Sequence, residues 1–108
     1  MHFNKLEMLR RINNNDEFLY EMFKVALTSF PELFDELNDI IKSGEFDKIF
    51  RKAHQLKGSA LNMNFDLLAQ IAKDIEFHCK NQDMNKVCEC FNNLLKEWEI
   101  VKNILQEE

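Results

Sequence analysis

His54 and Lys57 stand three residues apart in the stretch AHQLKGSA (Ala53 to Ala60), and Gly58, one of only two glycines in the chain, follows directly. An imidazole with an ordinary pKa near 6.5 is often neutral close to neutral pH, with a ring nitrogen free to act as a nucleophile. A lysine one helical turn away would supply positive charge beside any anion attached to that nitrogen. The glycine is the odd member, because in a helix interior it is less favourable than alanine by about 1 kcal/mol. Side chains on a helix lean towards its N-terminus, so a residue at position 58 would drape over His54. With glycine there, the imidazole stays open to a large partner. A histidine at a helix edge is more often a plain surface residue, and a lone lysine a solvated one. The costly glycine is what raises the alternative.

A carboxylate accepting from the Nδ1–H of His54 would fix the tautomer that leaves Nε2 outward. Two are within reach on the following helix if the intervening turn centres on Asn64 and Phe65: Asp74 and Glu76. His54 and Glu76 are displaced from their apolar stripes in the same rotational sense, and Asp74 in the opposite one. Glu76 is therefore the expected partner.

Other chemistry finds less support. Cys79, Cys88 and Cys90 are an odd number of thiols. They read as free cysteines of a cytoplasmic protein. His78 with Cys79, and Cys88 with Cys90, are too close along a helix to converge on zinc. No glycine-rich phosphate loop and no acidic cluster built for Mg²⁺ is present. The net charge of −5, spread along the chain, disfavours nucleic acid and anionic membranes. No apolar run is long enough to cross a bilayer, and the first residues, MHFNKLEMLRR, do not form a signal peptide.

The elements that must position these residues are helical throughout. With 108 residues, 45% of them hydrophobic, two glycines and one proline, the chain reads as a single domain over residues 1–108. A short first helix places Phe3, Leu6, Leu9 and Ile12 on one face, and Asp16 is the expected N-cap of the second. The second helix runs towards Ser43 with Leu19, Met22, Phe23, Ala26, Phe30, Leu33, Phe34, Leu37 and Ile41 in register, and a kink or restart is expected at Pro31. Gly44 ends it. The third turns Phe46, Ile49, Phe50, Ala53, Leu56 and Ala60 inward, with Lys52, Gln55 and Ser59 pointing away. The fourth turns Leu67, Leu68, Ile71, Ala72, Ile75 and Cys79 inward. The last carries Met84, Val87, Cys88, Phe91, Leu94, Leu95, Trp98, Val101 and Leu105. Short turns between long amphipathic helices make an all-α, antiparallel up-down-up-down four-helix bundle with a short extra N-terminal helix.

At the histidine the sequence resembles a known family. FRKAHQLKGSALNMNFDLLAQIAKDIE is similar to the signature of histidine-containing phosphotransfer (HPt) domains, roughly AHxLKGxAxxLGxxxLxxxxxxLE, and FPELFDELNDIIKSGEFDKIF looks like the family's second helix and its turn. The resemblance implies that His54 is the phosphorylated histidine, that Lys57 helps hold the phosphoryl group and that Gly58 gives clearance for the docking domain. Glu76 matches the glutamate that chemotaxis-kinase members place on the histidine's Nδ1, where other members carry a different polar residue. Met63-Asn64 departs from the family's usual Leu-Gly, and asparagine is the best substitute for a glycine at positive φ.

The resemblance implies a phosphocarrier rather than an autonomous kinase. It would pass a phosphoryl group between response-regulator receiver domains on His54 Nε2, with Mg²⁺ and most catalytic groups supplied by the partner. It has no cofactor of its own, and a monomer is expected. Two alternatives remain at this stage: the phospho-accepting module of a histidine kinase, and a helical adaptor in which His54 is incidental. Met1 and the absence of linkers lean towards a free-standing protein.

Overall fold

The apolar stripes read from the sequence face one another in a computed structural model that describes residues 1–107. Five helices follow in order: α1 (Lys5–Arg11), α2 (Asp16–Ser43), α3 (Phe46–Asn62), α4 (Asp66–Lys80) and α5 (Met84–Glu107). Helices α2 to α5 form an antiparallel four-helix bundle, in which α3 packs most extensively on α4, α4 on α5, and α2 closes the ring against α3 and α5. The molecule is an elongated bundle of 42 × 20 × 18 Å.

The core contains Phe23, Phe30 and Leu37 of α2, Ile49 and Leu56 of α3, Leu68 and Ile75 of α4, and Leu94, Trp98 and Val101 of α5. Trp98 stacks on Phe30 at 5.3 Å between ring centroids and meets Phe34 and Phe65 edge-on, so one indole joins α2, α5 and the α3–α4 turn. Burying these rings removes a large aromatic surface from water, and the edge-to-face pairing adds to that stabilisation.

Several local expectations are corrected. The N-cap of α2 is Asn15, whose side chain accepts from the Phe18 N–H, and Asp16 is the first helical residue. Both are good capping types, and the chain uses the earlier one. Helix α2 continues through Pro31 without a restart. In α1 the buried residue is Met8, while Leu6 is 83% exposed. Seven residues make barely two turns, and the docking of Phe3 sets which face turns inward. Lys52 does not point away, because it lies against α2 in an ion pair with Glu36 at 2.6 Å. Leu67, Cys88 and Leu95 sit at or beyond the stripe edges and are exposed, whereas Ala69 and Glu97 are buried.

Gly44 closes α2 at φ 73°, in the left-handed region that glycine enters without a Cβ penalty. Asn64 occupies the same region at φ 57° in the turn between α3 and α4. The residues before α1 brace that turn. The Asn4 N–H donates to the Asn64 carbonyl at 2.9 Å, and the Leu67 N–H donates to the Met1 carbonyl at 3.0 Å. Phe3 packs between Phe23 and Phe65. Arg11 adds a guanidinium at the C-terminus of α3, donating to the Leu61 and Asn62 carbonyls and to Asn64 Oδ1. A cation there offsets the helix dipole and satisfies carbonyls that have no partner within the helix.

Candidate functional site

The register of α3 against α4, fixed by the Asn64 turn and its brace, brings His54, Lys57 and Glu76 together. His54 lies at the edge of the α3 stripe with its side chain 65% exposed, and its Nδ1 is 3.3 Å from Glu76 Oε1. The ammonium of Lys57, one turn on, is 2.9 Å from the same oxygen. The Glu76 side chain is only 10% exposed, so its charge sits in a poorly solvated position with two potential cations beside it. Neither contact is aligned as a hydrogen bond, and Oε1 has no donor aimed along a lone pair. The arrangement is held by charge proximity more than by direction. Asp74, the other carboxylate weighed from the sequence, lies on another face and accepts from Gln70 of its own helix.

With Nδ1 turned towards the carboxylate, Nε2 on the opposite edge of the ring is the nitrogen offered to solvent. A Cβ built on Gly58 would meet nothing within 4 Å, and the residue is exposed with ordinary helical backbone. No contact or dihedral within the chain therefore requires glycine there. The space matters only to something outside the chain.

One neighbour of His54 was not recognised from the sequence as part of its surroundings. Phe50, read there as core, is half-buried and holds its ring nearly parallel to the imidazole, at 8° and 6.3 Å between centroids. The Lys80 ammonium, at the end of α4, lies 5.5 Å from the centroid of the Phe50 ring. The spacing of four between positions 50 and 54 could have signalled the stack.

One turn beyond Glu76, burial and then the Glu76 charge push the Cys79 thiol up to about 11, so it stays protonated at neutral pH. Cys88 is exposed and Cys90 half-buried, and all three are free thiols. Among the described residues no three histidine, cysteine or acidic side chains are grouped to hold a metal ion, and no helix is long and apolar enough to cross a membrane.

A second histidine–carboxylate pair lies outside this site. His2 Nδ1 contacts both carboxylate oxygens of Glu97, at 2.9 and 2.7 Å, and the Glu97 side chain is 7% exposed. No sequence spacing could reveal a pair separated by 95 positions. It ties the start of the chain to α5.

Comparison with known proteins agrees with the geometry. The family model described as "Hpt domain" matches residues 21–106, which leaves the N-terminal brace and α1 outside the match. The chain is 26% identical over 91 residues to "Phosphorelay intermediate protein rdeA" of Dictyostelium discoideum, an alignment that covers 84% of this chain and 36% of that protein. The chain thus spans little more than a third of that relative's length. No solved structure matches it significantly.

Proposed function

The chain belongs to the Hpt domain family, and from that premise we propose that it is a phosphorelay intermediate that carries a phosphoryl group on His54 Nε2 between response-regulator receiver domains. The observation that carries the reading is the placing of a buried carboxylate and a lysine at the Nδ1 edge of an exposed histidine.

The chemistry follows from that placing. The Nε2 lone pair attacks the phosphorus of an aspartyl phosphate on the receiver. The bond from phosphorus to the carboxylate oxygen breaks, and its electron pair returns to the aspartate. The ring keeps its Nδ1 proton and becomes cationic, and Glu76 lies where that charge develops. No proton has to leave, so the step reverses towards a second receiver by the same path. Transfer of this kind is mainly positioning and charge stabilisation. Lys57 contacts Glu76 while Nε2 is bare, and the phosphoryl group gives its ammonium a second anion to bind. In this reading Mg²⁺ belongs to the receiver.

The test is transfer of radiolabel from a panel of receiver domains charged with labelled acetyl phosphate. Wild type should acquire acid-labile label, and His54→Gln none. Equal labelling of the two proteins, or no labelling of either, overturns the reading. Glu76 facing Nδ1 also favours a second reading, in which the chain is the phospho-accepting module of a histidine kinase. Labelling by ATP and a kinase catalytic domain, with no receiver present, would distinguish it.

A further inference from the structure

We propose that Phe50 and Lys80 are positioning residues that set the ring plane of His54, and with it the direction in which Nε2 can attack. The inference rests on the phosphotransfer reading above and deepens it.

The imidazole needs such a restraint. Its side chain is 65% exposed, and its contact with Glu76 is 3.3 Å without hydrogen-bond alignment. A contact of that kind biases which edge of the ring faces the carboxylate but does little to fix rotation about the Cβ–Cγ bond. That rotation matters because the Nε2 lone pair lies in the ring plane. An in-line displacement at phosphorus requires the lone pair to point along the bond being formed.

Phe50 supplies the missing restraint. It lies one turn before His54 on α3, where the N-terminal lean of helical side chains brings the residue at i+4 over the residue at i. Its ring is within 8° of parallel to the imidazole. It is itself half-buried and packed against the core, so it is more firmly held than the side chain it supports. Lys80 then ties the phenyl ring to α4 by placing its ammonium 5.5 Å from the ring centroid. A cation over an aromatic face is an attraction that an exposed lysine can sustain without a carboxylate partner. The sequence position of Phe50 within an apolar stripe explains why it looks like ordinary core, yet it is less buried than Ile49 or Ala53 beside it.

The experiment compares wild type with Phe50→Leu, Phe50→Tyr, Lys80→Gln and Lys80→Arg, each checked by thermal unfolding. It measures single-turnover transfer from a receiver charged with labelled acetyl phosphate, over a range of receiver concentrations. The ring-proton chemical shifts of His54 are read by NMR on the same proteins. Phe50→Leu should lower the maximal transfer rate about five-fold, leave the half-saturating receiver concentration within about two-fold, and abolish the ring-current shift on His54. Phe50→Tyr, which keeps the ring, should restore both. Lys80→Gln should lower the maximal rate about two-fold and Lys80→Arg should not.

A wild-type maximal rate in Phe50→Leu overturns the proposal, as does a loss seen only in half-saturation or one that tyrosine does not rescue. Should Phe50→Leu not fold, the surface substitution Lys80→Gln decides, and an unchanged maximal rate there overturns the proposal. If wild type accepts no phosphoryl group while Phe50→Leu still loses the ring-current shift, the phosphotransfer reading fails and the restraint on the ring stands.

Discussion

Glu76 carries two consequences at the scale of single residues. Its buried charge faces both His54 and Lys57, so the two groups share one carboxylate until something anionic arrives. It also lies one turn from Cys79, where burial first and this carboxylate second raise the thiol from its ordinary value near 9 to about 11. The folded state therefore favours the neutral thiol. The stability this contributes is fully present below pH 9 and is lost as pH rises from 9 towards 11. Wild type should lose thermal midpoint more steeply than Cys79→Ala across that window, and parallel curves would remove the effect. Part of the site was legible at this scale. The matching displacements of His54 and Glu76 from their apolar stripes point to each other in the sequence itself. The Lys57–Glu76 contact and the tilt of Phe50 depend on where side chains come to rest between two helices, which residue spacing does not determine.

Helix α3 illustrates how an element can be built against its own propensity. Gly58 has ordinary helical backbone, is exposed, and has nothing within 4 Å of where a Cβ would lie. Gly58→Ala should therefore raise stability by about 1 kcal/mol, through better helix propensity and a less flexible unfolded chain. It should also slow phosphoryl transfer, and a larger substitution such as Gly58→Leu should slow it further. Urea unfolding and receiver transfer on the same variants check both halves. Transfer at the wild-type rate in Gly58→Leu would show that nothing docks over this position. The helices themselves were readable, because apolar residues recurring at intervals of three and four define a face. Their ends and edges were less so. Asn15 and Asp16 compete on equal chemical terms for one cap, and the inward face of a helix as short as α1 is set by Phe3 outside it.

Across the whole molecule, the aromatic core and the N-terminal brace act as one assembly. Phe3 touches Phe23 of α2 and Phe65 of the α3–α4 turn, and Phe65 in turn meets Trp98 of α5. Truncating it should reach beyond the first helix. Phe3→Ala is expected to lower unfolding free energy by about 3 kcal/mol, since it leaves a cavity among rings that cannot all collapse to fill it. Amide exchange at Leu67, whose N–H donates to the Met1 carbonyl, should quicken more than exchange in the middle of α5. A uniform change across all helices would mean that the brace has no local hold. This part of the architecture was the least visible in the sequence. His2 and Glu97 carry no mutual signal, and Glu97 lies between Lys96 and Trp98 as one more charged residue of an amphipathic helix. The brace also lies outside residues 21–106, which match the family.

The bond between the Met1 carbonyl and Leu67 also fixes a point of departure. Glu76 is nine positions further along α4, a rise of roughly 14 Å. Anything joined to the amino end of this chain, whether a fluorescent tag or a receiver fused for assay, therefore leaves the surface within roughly 15 Å of the histidine along the bundle axis. A short flexible fusion there would hold its cargo at millimolar-scale effective concentration over the site, where it could block a partner in solution or replace one.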